Sequence, residues 1–306
     1  MRGSLPFFMW SVATARAFVP VARRAQNLGR GVRSWVGGET FRTEVPVEPC
    51  SAPFLLKHSD PVLLVGSCFS QNMGARLERA HFDVAVNPFG ISFHPMALAR
   101  SLERMATDRA YTMSDLRQHE SSGAYYSFDH HTRFTNPDAE VCLAGINGNF
   151  EKGSEHLKRA RHLFLTLGTS WGYSLLDGSF GTDEVVANCH RLPTARFRKW
   201  MAGPEACAEA LRGALEACWA VNSDLCVILT VSPVRHLRDG AVENSRSKAA
   251  LLLACGKLVS SPIIPTGTSL RYFPSYELVM DELRDYRFFD RDMLHPSEVS
   301  GKTCSF

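Results

Sequence analysis

The chain has no HExxH, no paired CxxC spacing and no apolar run approaching the about 20 residues that cross a bilayer. The first two absences remove the common zinc signatures, and the third removes a membrane-spanning helix. His94, His119, His130, His131, His190 and His236 supply imidazoles without metal spacing. His130 and His131 are adjacent, so on a strand they point to opposite sides. No metal and no cofactor is expected. The nine cysteines show no framework spacing, and an odd number, several within apolar stretches, reads as reduced thiols rather than disulfides. Neither a Pro/Gly/Ser linker nor an internal repeat divides the 306 residues, a length that suits one large domain or two small ones.

Acidic residues are missing from Met1 to Gly38, where Arg2, Arg16, Arg23, Arg24, Arg30 and Arg33 all lie. That is the composition of an organelle-targeting leader. Ala15-Arg16-Ala17 followed by Phe18-Val19-Pro20 resembles a signal cleavage site ahead of the Phe-led motif of complex-plastid leaders, so a plastid address is the first reading, a mitochondrial one the second and the cytoplasm the alternative. Without the leader the body, residues 39–306, is slightly acidic. The formal charge of +3 is therefore no argument for nucleic-acid binding.

What is present begins with Gly66-Ser67-Cys68-Phe69-Ser70, directly after the apolar run Pro61 to Val65. A short apolar run closed by Gly reads as a buried strand, and 71–80, with Met73, Leu77 and Ala80 on one face, reads as the helix after it. A hydroxyl at such a turn lies beside the first backbone NH groups of the helix, which can hold a developing oxyanion. Ser67 could equally be a plain helix cap. Near the other end stands Asp292-Met293-Leu294-His295-Pro296. A neutral imidazole takes the proton of a nucleophile, and a carboxylate holds its tautomer, so Asp and His three apart form a candidate acid–base pair.

The alternation continues along the chain. Strands are expected at 84–87, 162–167 and 225–231, and helices at 95–105, 204–221 and 244–259. Residues 111–150 read as a polar, turn-rich insertion. Such alternation implies a mostly parallel sheet between helical layers, with the turns after the strands opening on one edge. That edge would gather Ser67, Gly90, Ser170, Ser232 and the Asp292–His295 turn.

An early strand-Gly-Ser turn with a late DxxH-Pro resembles the SGNH/GDSL hydrolases, and more closely their GSCFA branch. Further matches are Asn87-Pro88-Phe89-Gly90, Leu167-Gly168-Thr169-Ser170-Trp171, Val186-Ala187-Asn188-Cys189-His190, Thr230 to His236 and Tyr272-Phe273-Pro274-Ser275-Tyr276-Glu277, in order from about Phe54 to Ser297. The resemblance implies a three-layer α/β/α fold with a flavodoxin-like sheet. It implies Ser67 as nucleophile, His295 as base and Asp292 as its orienting carboxylate, with the Ser67 and Gly90 NH groups at the oxyanion. Ser170 stands where the superfamily has Asn, so either Ser170 or Asn188 would serve there. Cys68 competes with Ser67, since a thiol needs less help from a base. His190, Arg235 and His236 are candidates for substrate contact, and Arg246 and Lys248 either hold an anionic or sugar group or form a solvated face.

The function expected is an ester hydrolase or acyltransferase acting through an acyl-serine on a small-molecule or carbohydrate acyl ester. The alternative is a non-catalytic glycan-binding protein that keeps the cleft. The residues after His295 do not resemble the helix usual at that place, so a shortened C-terminus is also an expectation.

Overall fold

The computed structural model describes residues 44–47, 55–181, 184–261 and 269–303; the basic segment 1–38, expected as a leader, lies outside them, as do Cys50 and Cys304. The elements run β1 (Val62–Gly66), α1 (Cys68–Arg79), β2 (Val84–Val86), α2 (Pro95–Ala106), β3 (Arg117–Gln118), β4 (Tyr125–Tyr126) and α3 (Ala139–Arg159). They continue with β5 (His162–Leu167), β6 (Trp171–Leu175), β7 (Phe197–Met201), α4 (Pro204–Val221), β8 (Cys226–Val231), α5 (Ala241–Val259) and β9 (Ser269–Tyr272). Helical turns at Ser275–Glu277 and Leu278–Leu283 and a short helix at Glu298–Thr303 close the chain.

Five strands form a parallel sheet in the order β2-β1-β5-β8-β9, while β3–β4 and β6–β7 are separate antiparallel pairs. Counted within the sheet this is the 2-1-3-4-5 order of flavodoxin-like folds. Its direction of growth reverses between β1 and β5, the switch point outside which ligands bind in open α/β sheets.

The strand sequences show why both faces are covered. Every residue of β1, β5 and β8 is buried, which requires continuous apolar runs rather than alternation. Leu63 and Val65 join Leu163, Leu165, Leu167, Val227 and Leu229 under α2, α3, α4 and α5. Val62 and Leu64 face the other way, with Phe164 and Ile228, onto Phe69 and Met73 of α1 and onto Leu278 and Val279. The expected three-layer α/β/α architecture is present. Right-handed crossovers explain the split, because the step from β1 to β2 runs opposite to the later steps and so puts α1 on the opposite face.

Two readings change. Residues 111–150 are turn-rich only as far as Asp138; α3 begins at Ala139, capped by Asp138 Oδ1, which accepts the NH groups of Glu140 and Val141. Glu298–Thr303, after His295, is helical as well, with Gly301 NH donating to Ser297 O and Arg76 Nη2 of α1 donating to Glu298 O. Among the described residues no helix is long and apolar enough to cross a membrane.

Candidate active site

The site is built at the C-terminal end of β1. Gly66 has φ of 145°, and a Cβ there would lie 2.2 Å from Thr166 O on the neighbouring strand, so glycine alone fits. Asn87, itself at φ of 46° and fully buried, accepts the Gly66 NH at 2.8 Å and so ties the loop after β2 to the end of β1. Ser67 is the N-cap of α1, its Oγ accepting the Phe69 NH at 3.2 Å, and it is fully buried. Ser70 donates to Thr166 Oγ1, which satisfies its hydroxyl within the core. Cys68, the first residue of α1, is partly exposed. Burial pushes its thiol up, while hydrogen bonds from the Cys68 and Phe69 NH groups and the charge of Lys248 act the other way.

The Asp292-to-His295 segment is one tight turn. Asp292 Oδ1 accepts the NH groups of Leu294 and His295 at 2.8 and 3.0 Å, and Oδ2 meets His295 Nδ1 at 2.6 Å. Those bonds, the His295 NH first, hold the Asp292 carboxyl down to about 2. A carboxylate can only accept, so Nδ1 carries the hydrogen, and in the neutral ring the lone pair is on Nε2. Met293, at φ of 58°, makes the bend. Arg235 fastens the turn to the end of β8: its NH donates to Leu294 O at 3.0 Å, and its guanidinium lies over the rings of Phe289 and Tyr286. Arg235, a candidate for substrate contact, is placed by these contacts as an anchor of the loop.

Behind the rim lies Lys248 of α5, only 1% exposed. Its Nζ donates to Gly168 O at 2.6 Å and Ser232 O at 2.7 Å, bridging the ends of β5 and β8. Burial lowers it to about 7. The solvated face suggested by the sequence holds for Arg246, which is exposed and paired with Glu243, but not for Lys248. His236 belongs to this neighbourhood: burial, then the charges of Lys248 and His295, lower it to about 4, and its ring meets Phe93 edge-on.

The other expected residues have different surroundings. The Ser67 NH donates to Thr166 O, and the Gly90 NH closes its own turn onto Asn87 O at 2.8 Å. Ser170 Oγ is 3.2 Å from Ser247 Oγ of α5, in a buried cluster that also binds the Ser170 NH. Asn188 Oδ1 accepts the His190 NH, and His190 Nε2 bonds Ser127 O inside an apolar cluster of Tyr126, Phe128, Leu175, Val186, Leu192 and Phe197. That cluster, not the rim, accounts for Asn188 and His190. No hydrogen bond joins Ser67 Oγ to His295 among the described residues. Sequence reasoning missed Ser247 and named Asn87 only within a motif, because their polar roles depend on which strand ends meet. Among the described residues no group of three or more His, Cys, Asp or Glu side chains is placed to hold a metal ion.

Strand order, layers and a rim of buried polar groups with an Asp–His pair nearby define a flavodoxin-order α/β protein whose candidate site lies at the switch point. The GSCFA family model matches residues 61–304, and the chain belongs to that family. No curated protein matches it in sequence. Two solved structures are similar over 80% of this chain and 92% of theirs: an acetyl esterase mutant with an acetate ion, at 10% identity and a TM-score of 0.38, and a carbohydrate esterase of family 3 from Talaromyces cellulolyticus, at 8% and 0.36.

Proposed function

We propose that the protein is an ester hydrolase or acyltransferase that forms an acyl-enzyme at the Ser67–Cys68 turn, with His295 as general base and Asp292 as its orienting carboxylate. The observation that carries this is the 2.6 Å Asp292–His295 pair, fixed by two further hydrogen bonds to the same carboxylate and anchored beside the end of β8. A structural turn would need only the backbone bonds; the imidazole bond adds an oriented base. The acceptor nitrogen takes the proton of the attacking side chain and returns it to the leaving alcohol. The Ser67 and Gly90 NH groups are paired with carbonyls and the Phe69 NH with Ser67 Oγ, so the Cys68 NH, the first amide of α1, is the donor nearest to hand for a developing oxyanion. The substrate class, a small-molecule or carbohydrate acyl ester, rests on the resemblance to SGNH hydrolases.

A second reading, a non-catalytic glycan-binding cleft, draws on the complete burial of Ser67. Turnover of 4-nitrophenyl acetate separates the two. The enzyme reading predicts hydrolysis that falls about a hundredfold to ten-thousandfold in His295→Ala. An intact protein that leaves the ester untouched supports the binding reading.

A further inference from the structure

We propose that Cys68, and not Ser67, receives the acyl group, so that the intermediate is a thioester on the first residue of α1. This rests on the reading of the site as an acyl-transfer centre and decides which atom reacts there. A nucleophile must reach a carbonyl carbon arriving from solvent. Ser67 has no exposed surface, and its oxygen already accepts the Phe69 NH as the helix cap. Removing that oxygen from its cap to attack would strip the helix end of a partner and still leave it beneath the surface. Cys68 is the next residue, has the cap behind it and is partly exposed.

Charged groups also surround the Cys68 sulfur. Lys248, the buried ammonium, acts on the Cys68 sulfur in favour of the thiolate and Asp292, the orienting carboxylate, acts against it, so both lie within electrostatic reach of that sulfur. Lys248 spends two of its three hydrogens on the Gly168 and Ser232 carbonyls, which fixes its positive charge behind the turn. Cys142, Cys207, Cys218, Cys226 and Cys255 are buried in the fold, and Cys189 packs against the apolar cluster around Tyr126, so Cys68 is the described cysteine that combines exposure with charged neighbours. Burial favours the neutral thiol, so the sulfur needs a base, and His295 is the oriented one.

The step balances as follows. His295 Nε2 takes the Cys68 proton as sulfur bonds to the acyl carbon. The carbon–oxygen bond to the alcohol then breaks, and the alkoxide leaves with the proton from His295. Water or a second alcohol attacks the thioester, giving its proton to His295. The carbon–sulfur bond breaks, and the thiolate recovers that proton.

The test uses the full chain, 4-nitrophenyl acetate and mass mapping of the protein quenched during turnover. Acetyl on the peptide at Cys68, released by neutral hydroxylamine as thioesters are, is the expected result. Cys68→Ala should lose at least a hundredfold in turnover, whereas Ser67→Gly, which keeps a tolerated cap residue, should keep at least a third of it. Cys68→Ser guards against a folding defect: its adduct should stay at position 68 and resist neutral hydroxylamine. Acetyl on Ser67, with Cys68→Ala active, would overturn the assignment and leave the acyl-enzyme reading standing. A folded wild-type protein with no turnover and no adduct would overturn both.

Discussion

At Gly66 a side chain would meet the Thr166 carbonyl, while one residue later the chain needs a side-chain oxygen to cap α1. Gly66→Ala should therefore cost about 2–4 kcal/mol, from positive φ and from overpacking against backbone that cannot move aside. Ser67→Ala should cost about 1 kcal/mol, the usual loss for an N-cap. Thermal or urea unfolding of the two variants checks the order, and an equal effect would refute the distinct roles. At this scale the sequence was informative where bonding is local. The DxxH spacing announced a turn because Asp292 bonds residues two and three places on. It could not announce Ser247 as the partner of Ser170, nor the Lys248 bridge, because those contacts join positions 77 and 80 residues apart. It also named Ser67 for a role whose access depends on burial, which no spacing reveals.

At the scale of elements, strands and helices with continuous apolar runs or a clean stripe were legible: β5 and α4 fall on 162–167 and 204–221 as expected. Helix α3 was not, since Gly145, Gly148 and Gly153 with Asn147 and Asn149 lower its intrinsic propensity. Its stripe of Cys142, Ile146, Phe150 and Leu157 nonetheless packs into the core, and tertiary burial outweighs the local preference. Strand β9, four residues long, pairs with β8 alone and has little sequence of its own to announce it. The loop carrying His295 is an element held by a few contacts, with Arg235 prominent among them. Arg235→Ala should leave the global unfolding transition nearly in place while lowering kcat tenfold or more, because a base displaced by about an ångström costs rate steeply. Arg235→Lys, which keeps a charge over the Phe289 ring, should recover part of the loss. Unchanged kcat in both variants would show that the loop does not depend on this anchor.

Across the whole molecule the buried imidazoles set the response to acid. Desolvation lowers His94, His190 and His236 to about 4 and His130 to about 3, from 6.5. With the folded values below the unfolded one, the unfolded chain takes up protons first as pH falls. The imidazoles' contribution to stability is then complete above about pH 6.5 and declines down to about pH 4, by ~3 kcal/mol from the buried His94 alone. Urea midpoints across that range should fall steadily, and a flat profile would contradict neutral burial of these rings. Lys248 acts oppositely to a surface lysine: its folded value near 7 means that stability rises as pH climbs from about 7 towards 10.5. The sheet that places these groups was readable as a class from the alternation of strands and helices, whereas the reversal between β1 and β5, which locates the site, emerges only from the pairing.

The central claim is that the Asp292–His295 pair serves a nucleophile on the turn after β1, and pre-steady-state mixing with 4-nitrophenyl acetate tests it most directly. The account predicts a burst of 4-nitrophenolate stoichiometric with protein, absent in a folded His295→Gln variant. A burst of the same size and rate in that variant would contradict it.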